Sequence, residues 1–521
     1  MPRARALLLL LLMAGAAICA EPPAIRRDGV VNAASQRPEA AGGALAPASR
    51  ISIHGIRFAE EVRANRVLLR IAGRSLTLPV LHATATRLEA WIPPGAPLGT
   101  GELSVQSNGL ESPPVPVRLS RSAPSFFSVN EEGWGPARAD NLSAGVRSPN
   151  SADRSVAPGG TVALAVTGWS SADKPQVQVG LETARVLTFR PPAGPDYSAE
   201  IAIQVPPGTP QGCHVPVYAR IAGGRASNTV AIAIHRGGGA CVDGPGDPMA
   251  GWDGGKTAIL ILSRTVRRTL DQPEDLTDDE LRAGFFDVPP GRRRDSPFLQ
   301  WPPTGACTTY ATVGDEETPA ADSVPALLFG SAFREGEGLD AGAYIAVRSG
   351  VLQLRAAPVP GAPGLYQRTL NPGAHPGLRP PQLPLDSGTV VIAGRGGPRA
   401  GAFATALPVP AAFTQLNPVV TIGRSDPLTV EWKSAGSPAA MGIVVAGAGA
   451  NGGAAGATYC LAPGSAGRFT IPAALLGHLP AGRGDLVLAS WWTRPVTPNP
   501  AGIDHTIAIS VYSRSSEVQI Q

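Results

Sequence analysis

Apolar and polar residues alternate with a period of two along most of this chain, in short runs closed by Pro and Gly. RISIHGIRF (residues 50–58), VPVRL (115–119), TVALAVTGW (161–169) and VAIAI (230–234) each put their apolar side chains on one face, which predicts half-buried strands. The pattern returns in GAYIAVR, VLQLRA, TVVIAG, LTVEW, GIVVAG, GRFTIPA, DLVLASWW and HTIAISVY, between residues 342 and 512. Between His235 and about Tyr310 it lapses. There ILILSRTV (259–266) reads as a strand, and TDDELRAGFF (277–286) as a short helix, because Thr277 and Glu280 have capping-box spacing with acids in the first turn. The predicted class is all-β, a series of β-sandwiches with one short helix in a connector.

The first half contains an internal repeat. IPPGAPLG (92–99) recurs as VPPGTPQG (205–212), 113 residues later, and the alternating runs on either side correspond as well. RISIHGIRF matches TVALAVTGW; Val115, Val117 and Leu119 match Val230, Ile232 and Ile234. Each copy is about a hundred residues of short strands between Pro/Gly turns, as expected of an immunoglobulin-like sandwich. The expected division is a leader at 1–20, immunoglobulin-like domains at 21–121 and 122–236, a connector at 237–310, and β domains at 311–413 and 414–521.

These residues also resemble a known group. The alternating strand closing on HGIRF, the following VLLRIAGRSLTLPVLHATATRLEAWIPPG, the SNG turn and the last alternating strand are similar to the IPT/TIG immunoglobulin-like domains. GVVNAAS (29–35), APSFF (123–127), GPARADNLSAGVRSPN (135–150), APGG (157–160) and the VPPG…GCHVPV block resemble the paired modules of the Solibacter-type uncharacterised C-terminal domain family. The resemblance spans residues 28–236. It implies a fold and export from a bacterial cell, and no reaction. Some 285 residues follow, so any distinctive activity is expected there.

Composition supports the pattern: 62 Gly and 54 Pro with 43% hydrophobic and 16% charged residues favour turns and strands over helices. The net charge of +4, with three Lys and no basic block beyond Arg292, Arg293 and Arg294, excludes a nucleic-acid footprint. The first twenty residues place Arg3 and Arg5 ahead of an apolar run from Ala6 to Ile18, which reads as a secretory signal peptide cleaved after Ala20. Lipid attachment at Cys19 is the alternative, disfavoured by Ile18. No later apolar run is long enough for a transmembrane helix. The expected location is secreted or at the cell surface.

Export makes the remaining cysteines informative. Cys213, Cys241, Cys307 and Cys460 are even in number, lack C-x-x-C spacing and allow three pairings. Thr100 stands where Cys213 does in the repeat, and Cys241 lies just past the last strand of the same copy. That predicts Cys213–Cys241, leaving Cys307–Cys460. His214 beside Cys213 then becomes a strand residue rather than a metal ligand.

Other chemistry is weakly signalled. Gly447, Gly449 and Gly452 spell G-x-G-x-x-G after a strand-like run, but no helix-forming stretch follows and the next acid is Asp485, so a hairpin loop is expected and no cofactor. No G-x-S-x-G or H-E-x-x-H occurs, and the seven His are scattered. Asp315, Glu316 and Glu317 are adjacent without a set geometry for sugar hydrolysis. Asp243, Asp247 and Asp253 share a Gly-rich loop that could offer oxygens to calcium. Trp491 and Trp492 are neighbours on a strand, so one enters the core and the other is a platform for a ligand. The reading is an exported, non-catalytic protein for adhesion or binding of an extracellular polysaccharide or protein. The alternative is a secreted polysaccharide or peptide hydrolase with its site in residues 311–521.

Overall fold

The computed structural model describes residues 21–521, except 144, 170–174, 193–196, 222–225, 245, 273, 292–299, 314–327, 330–335, 351, 372–384, 386–387, 410, 435, 437 and 449–453. Two sheets form from residues 24–119. Ala24–Asn32, Arg50–Ile56, Arg87–Trp91 and Val80–Ala83 pair in that order, and Arg74–Leu78, Asn65–Ile71, Gly99–Ser107 and Val115–Leu119 make the second. Labelled along the chain, these are the A-B-E-D and C′-C-F-G sheets of an immunoglobulin-like sandwich. Ile51, Ile53, Leu88, Val67, Leu69 and Leu103 meet between them, and the period-two pattern is what aims them inward.

The next module repeats the plan. Ala139–Ser143, Thr161–Thr167, Ala199–Gln204 and the later part of Glu182–Arg190 form one layer; Gln176–Val179, Gly212–Arg220 and Val230–Ile234 form the other. Glu182–Ala184 pairs with Gln176–Val179, and from Arg185 the same strand pairs with Ala199–Gln204 in the first layer, with a bulge between Val186 and Thr188. Both copies of the repeated motif fill the same places. RISIHGI pairs with Ala24–Asn32 and Arg87–Trp91 as TVALAVT pairs with Ala139–Ser143 and Ala199–Gln204, VPVRL and VAIAI are last strands, and IPPG and VPPG are turns ahead of Gly99–Ser107 and Gly212–Arg220.

The expected connector is a correction. Thr277–Phe286 is strand, not helix, within Leu276–Val288, which pairs residue for residue with Gly255–Arg268. Leu281, Ala283 and Phe285 recur every second residue and enter one core, while Phe286 and Val288 enter another. That period fits a sheet buried on both faces, and tertiary burial outweighs a local cap. The acids mistaken for a helix start meet arginines instead: Arg264 binds the fully buried Asp279 with two 2.8 Å bonds, and Arg282 reaches Glu280 at 3.0 Å. A one-turn α-helix spans Ala473–Leu476.

Gly255–Arg268 also pairs in parallel with the last strand, His505–Ile520. The sheet runs on through Gly482–Pro495, Ala440–Ala448, Ala454–Pro463 and Ala306–Val313 on one side, and through Leu365–Thr369 to Phe403–Pro408 on the other. Pairing therefore crosses the expected divisions at 310/311 and 413/414: Ala306–Val313 spans the first and is bonded to Leu461–Ala454 beyond the second. The Ala440–Ala448 and Ala454–Pro463 strands form a hairpin, which is where the G-x-G-x-x-G lies; Gly449 and Gly452 are outside the described residues.

The two sandwiches and this third region meet at one polar junction. Asn228 Nδ2 donates to the carbonyls of Ala34 (3.1 Å), Phe126 (2.8 Å) and Gly133 (2.9 Å), and its Oδ1 accepts from Phe126 N at 2.8 Å. Asn32 donates to Ala123 O across the link between the modules. Arg37 is 3% exposed and donates to Ser227 O (3.2 Å), Thr309 Oγ1 (2.8 Å) and the His478 ring (2.6 Å). Close backbone approach requires glycine at two places. A Cβ on Gly133, at φ 82°, would lie 2.2 Å from Ser35 O, and one on Gly42, at φ 78°, 2.7 Å from Gly477 O.

Asn228→Ala strips four buried bonds while leaving their backbone partners enclosed, so a loss of about 3 kcal/mol is expected from unsatisfied groups. A lowered calorimetric transition and faster proteolysis within residues 120–127 are the readouts; wild-type behaviour in both would contradict the role given to Asn228.

Candidate functional site

A large cleft opens along the seam of the first sandwich. Ala24–Asn32 is the outer strand of one sheet and Val115–Leu119 that of the other; among the described residues no ladder pairs these two strands, and Leu119 bridges instead to Leu45. The gap continues beneath the 120–125 link into the junction, giving a cavity of about 1210 Å³. Its walls include Arg26, Arg27, Arg118 and Arg121, all exposed, with Asp28 and Glu39 as its acids. None of these four arginines has an ion-pair partner among the described residues. Ser35, Ser120, Ser122 and Ser125 add hydroxyls, and among the described residues no aromatic side chain lines it.

Arg37 also lines this cleft, and its environment is unusual. Its hydrogen-bond partners are a carbonyl, a hydroxyl and an imidazole, with no carboxylate among them. Burial pushes its pKa down to about 9, as expected for a cation without a counter-charge. Burial, reinforced by Arg37, holds His478 well below the ordinary imidazole range, so the ring is a neutral acceptor. His54 is pushed down to about 4, first by burial and then by Arg87 and Arg26, and its Nε2 meets Gln36 Oε1 at 2.9 Å. Beside them Glu89 is buried between Arg50 and Arg87, the latter at 2.5 Å.

The residues singled out in the sequence lie elsewhere. Two disulfides are present, Cys213–Cys241 with Cα atoms 5.3 Å apart, and Cys307–Cys460 at 4.0 Å. The second joins directly opposed residues of two strands in a core. The first ties the start of Gly212–Arg220 to the segment after the last strand of its module, while His214 is buried beside Cys213. Asp243, Asp247 and Asp253 do not assemble into a group able to hold a metal. Asp243 accepts from Cys213 N and Asp247 caps Met249 N at 2.8 Å, so two of these carboxylates are engaged by the backbone.

Trp491 is buried against Trp301 and Phe329 and donates to Gly246 O at 3.1 Å. Trp492, on the other face, is 36% exposed with Arg494 5.9 Å from its ring. Asp315, Glu316 and Glu317 fall outside the described residues, as do Arg292, Arg293 and Arg294 and the leader with Cys19. Asp485 stands opposite Glu517 on adjacent strands. Burial raises Asp485, against the opposing pull of Arg267, and the pair lies outside the cleft. The cleft itself was missed because its arginines are scattered between residues 26 and 121 and converge only through the fold. The one available signal was the charge at positions 26–28, inside a strand pattern.

No family model matches the chain, and no curated protein does. Among solved structures it is similar to a tetra-tandem repeat from the extending region of a large adhesion protein, at 11% identity over 94% of this chain and 98% of that one, TM-score 0.14. A run of tandem titin domains matches at 9% identity over 75% and 99%, TM-score 0.14. The SGBP-B protein of a Bacteroides ovatus mixed-linkage glucan utilization locus, solved with a mixed-linkage heptasaccharide, matches at 12% over 63% and 66%, TM-score 0.20. These superpositions are too loose to identify a shared architecture. The assignment of immunoglobulin-like sandwiches rests on the strand order described above.

Two outcomes follow from this chemistry. Replacing Cys213 and Cys241 together by Ser releases a loop of 28 residues, for which chain entropy gives a loss of about 3–4 kcal/mol in the second module, readable as a lowered unfolding midpoint; an unchanged midpoint would contradict it. His54 and His478 are neutral when folded but titrate near 6.5 when unfolded, so their contribution is complete above pH 6.5 and falls as the pH drops, for His54 down to about 4. For His54 the drop is about 3 kcal/mol, at ~1.4 kcal/mol per unit. Unfolding midpoints measured from pH 7.5 to 4 should decline across that window; a flat profile would contradict the assignment.

Proposed function

We propose that this is an exported, non-catalytic binding protein whose ligand occupies the cleft between Ala24–Asn32 and Val115–Leu119, at or outside the cell surface. The observation that carries the reading is the cleft: it exceeds the few hundred to ~1,000 Å³ of ordinary small-molecule sites and is bounded by loops and strand edges that the junction holds in place. Export is supported by the leader-like first twenty residues and by two disulfides, which persist in oxidising compartments. The quoted motifs further support placing the first two modules with the IPT/TIG-like, Solibacter-type modules, and residues 255–521 act as the base on which they stand.

Trp492 is a secondary candidate contact, its exposed ring facing away from the core that holds Trp491. The test is to incubate the chain lacking residues 1–20 with immobilised polysaccharides, neutral and charged, and with extracellular proteins, recording retention and turnover. Retention without turnover is expected. Turnover abolished by Asp485→Asn would instead establish the hydrolase alternative.

A further inference from the structure

Resting on that reading, we propose that the cleft of the first sandwich takes an acidic polysaccharide, a chain bearing carboxylate or sulfate groups, held by Arg26, Arg27, Arg118 and Arg121. Charge gives the sign of the ligand. Four arginines without ion-pair partners among the described residues face a cleft whose acids are Asp28 and Glu39, and Arg37 beneath them is buried without a carboxylate. Guanidinium groups offer paired donors that fit carboxylate and sulfate oxygens.

The lining then selects among anions. Neutral sugars are usually held by stacking on aromatic rings, and no aromatic residue lines this cleft among the described residues, so recognition falls to charge and to hydroxyls such as Ser120, Ser122 and Ser125. An acidic peptide would bind most simply by adding a strand to an open edge, and both edges resist this. Pro116 sits within Val115–Leu119 and has no N–H to donate. Ala24–Asn32 breaks register between Ile25 and Val30, with Asp28 at φ 56°. At about 1210 Å³ the space suits several sugar units rather than a single small anion.

The test uses the whole chain without residues 1–20 and four probes: polygalacturonate, dextran sulfate, neutral dextran and poly-glutamate. Binding is followed by calorimetry at two salt concentrations. Arg26→Gln/Arg27→Gln and Arg118→Gln/Arg121→Gln each remove two charges from the cleft, and Arg63→Gln/Arg66→Gln removes two exposed charges from the same module outside it. The expected result is binding to at least one of the two acidic polysaccharides, weakened by salt, reduced at least tenfold by either cleft pair and less than twofold by the control pair. Equal losses in all three variants would overturn the proposal by showing attraction to net charge alone. Poly-glutamate binding more tightly than either acidic polysaccharide would overturn the ligand class. Binding of neutral dextran, or of a protein from the broader panel, that the cleft variants leave unchanged would overturn this proposal and the cleft's role while leaving a binding function standing. No retention by any probe or panel member would overturn both.

Discussion

Asn228, 1% exposed, makes four hydrogen bonds to backbone groups from three separate stretches of chain, and Arg37 beside it joins both sandwiches to the third region. A buried amide and a buried guanidinium tolerate few arrangements, because every donor left without an acceptor is costly away from water. This polar geometry adds directional constraints to the apolar contacts between the modules, such as Trp134 against Tyr310 and Phe127 against Ala33 and Ala34. Thr229 and Thr309 share a further bond of 2.9 Å, and the short turn Glu39–Ala41 is carried against the third region by the contact of Gly42 with Gly477. Whatever the cleft holds, its inner wall is this junction.

Much of the fold was legible because sandwiches write themselves as period-two patterns. The strand at Arg50–Ile56 and its counterpart at Thr161–Thr167 align from the sequence alone, since burial on one face constrains every second residue. The motifs GVVNAAS and APSFF were visible as motifs but their purpose was not. Asn32, Ala34, Ala123 and Phe126 turn out to be the groups that Asn228 and its neighbours bind, and hydrogen bonds spanning about ninety to two hundred residues leave no local trace.

The stretch around Thr277 shows how local rules fail. Asp278, Asp279 and Glu280 suit a helix start, but Asp279 is fully buried against Arg264, a partner on the neighbouring strand. The Phe285-Phe286 pair feeds two cores at once, a demand that strands meet and a surface helix does not. In the same way the cysteine pairing could be proposed from spacing and repeat alignment, whereas the arginines of the cleft could not. Arg26 and Arg118 belong to strands at opposite ends of one module's sequence, and only closure of the sandwich makes them neighbours across a gap.

The central claim is that the junction is a rigid part of the molecule and not a flexible link between beads. Hydrogen exchange at the amides of Phe126 and Phe127 tests it most directly: the first donates to Asn228 Oδ1 at 2.8 Å, the second to Ala165 O at 3.0 Å. A locked junction predicts protection equal to that of the central Thr161–Thr167 strand, lost only when the sandwich itself opens. Exchange at these two amides many times faster than in that strand would contradict it.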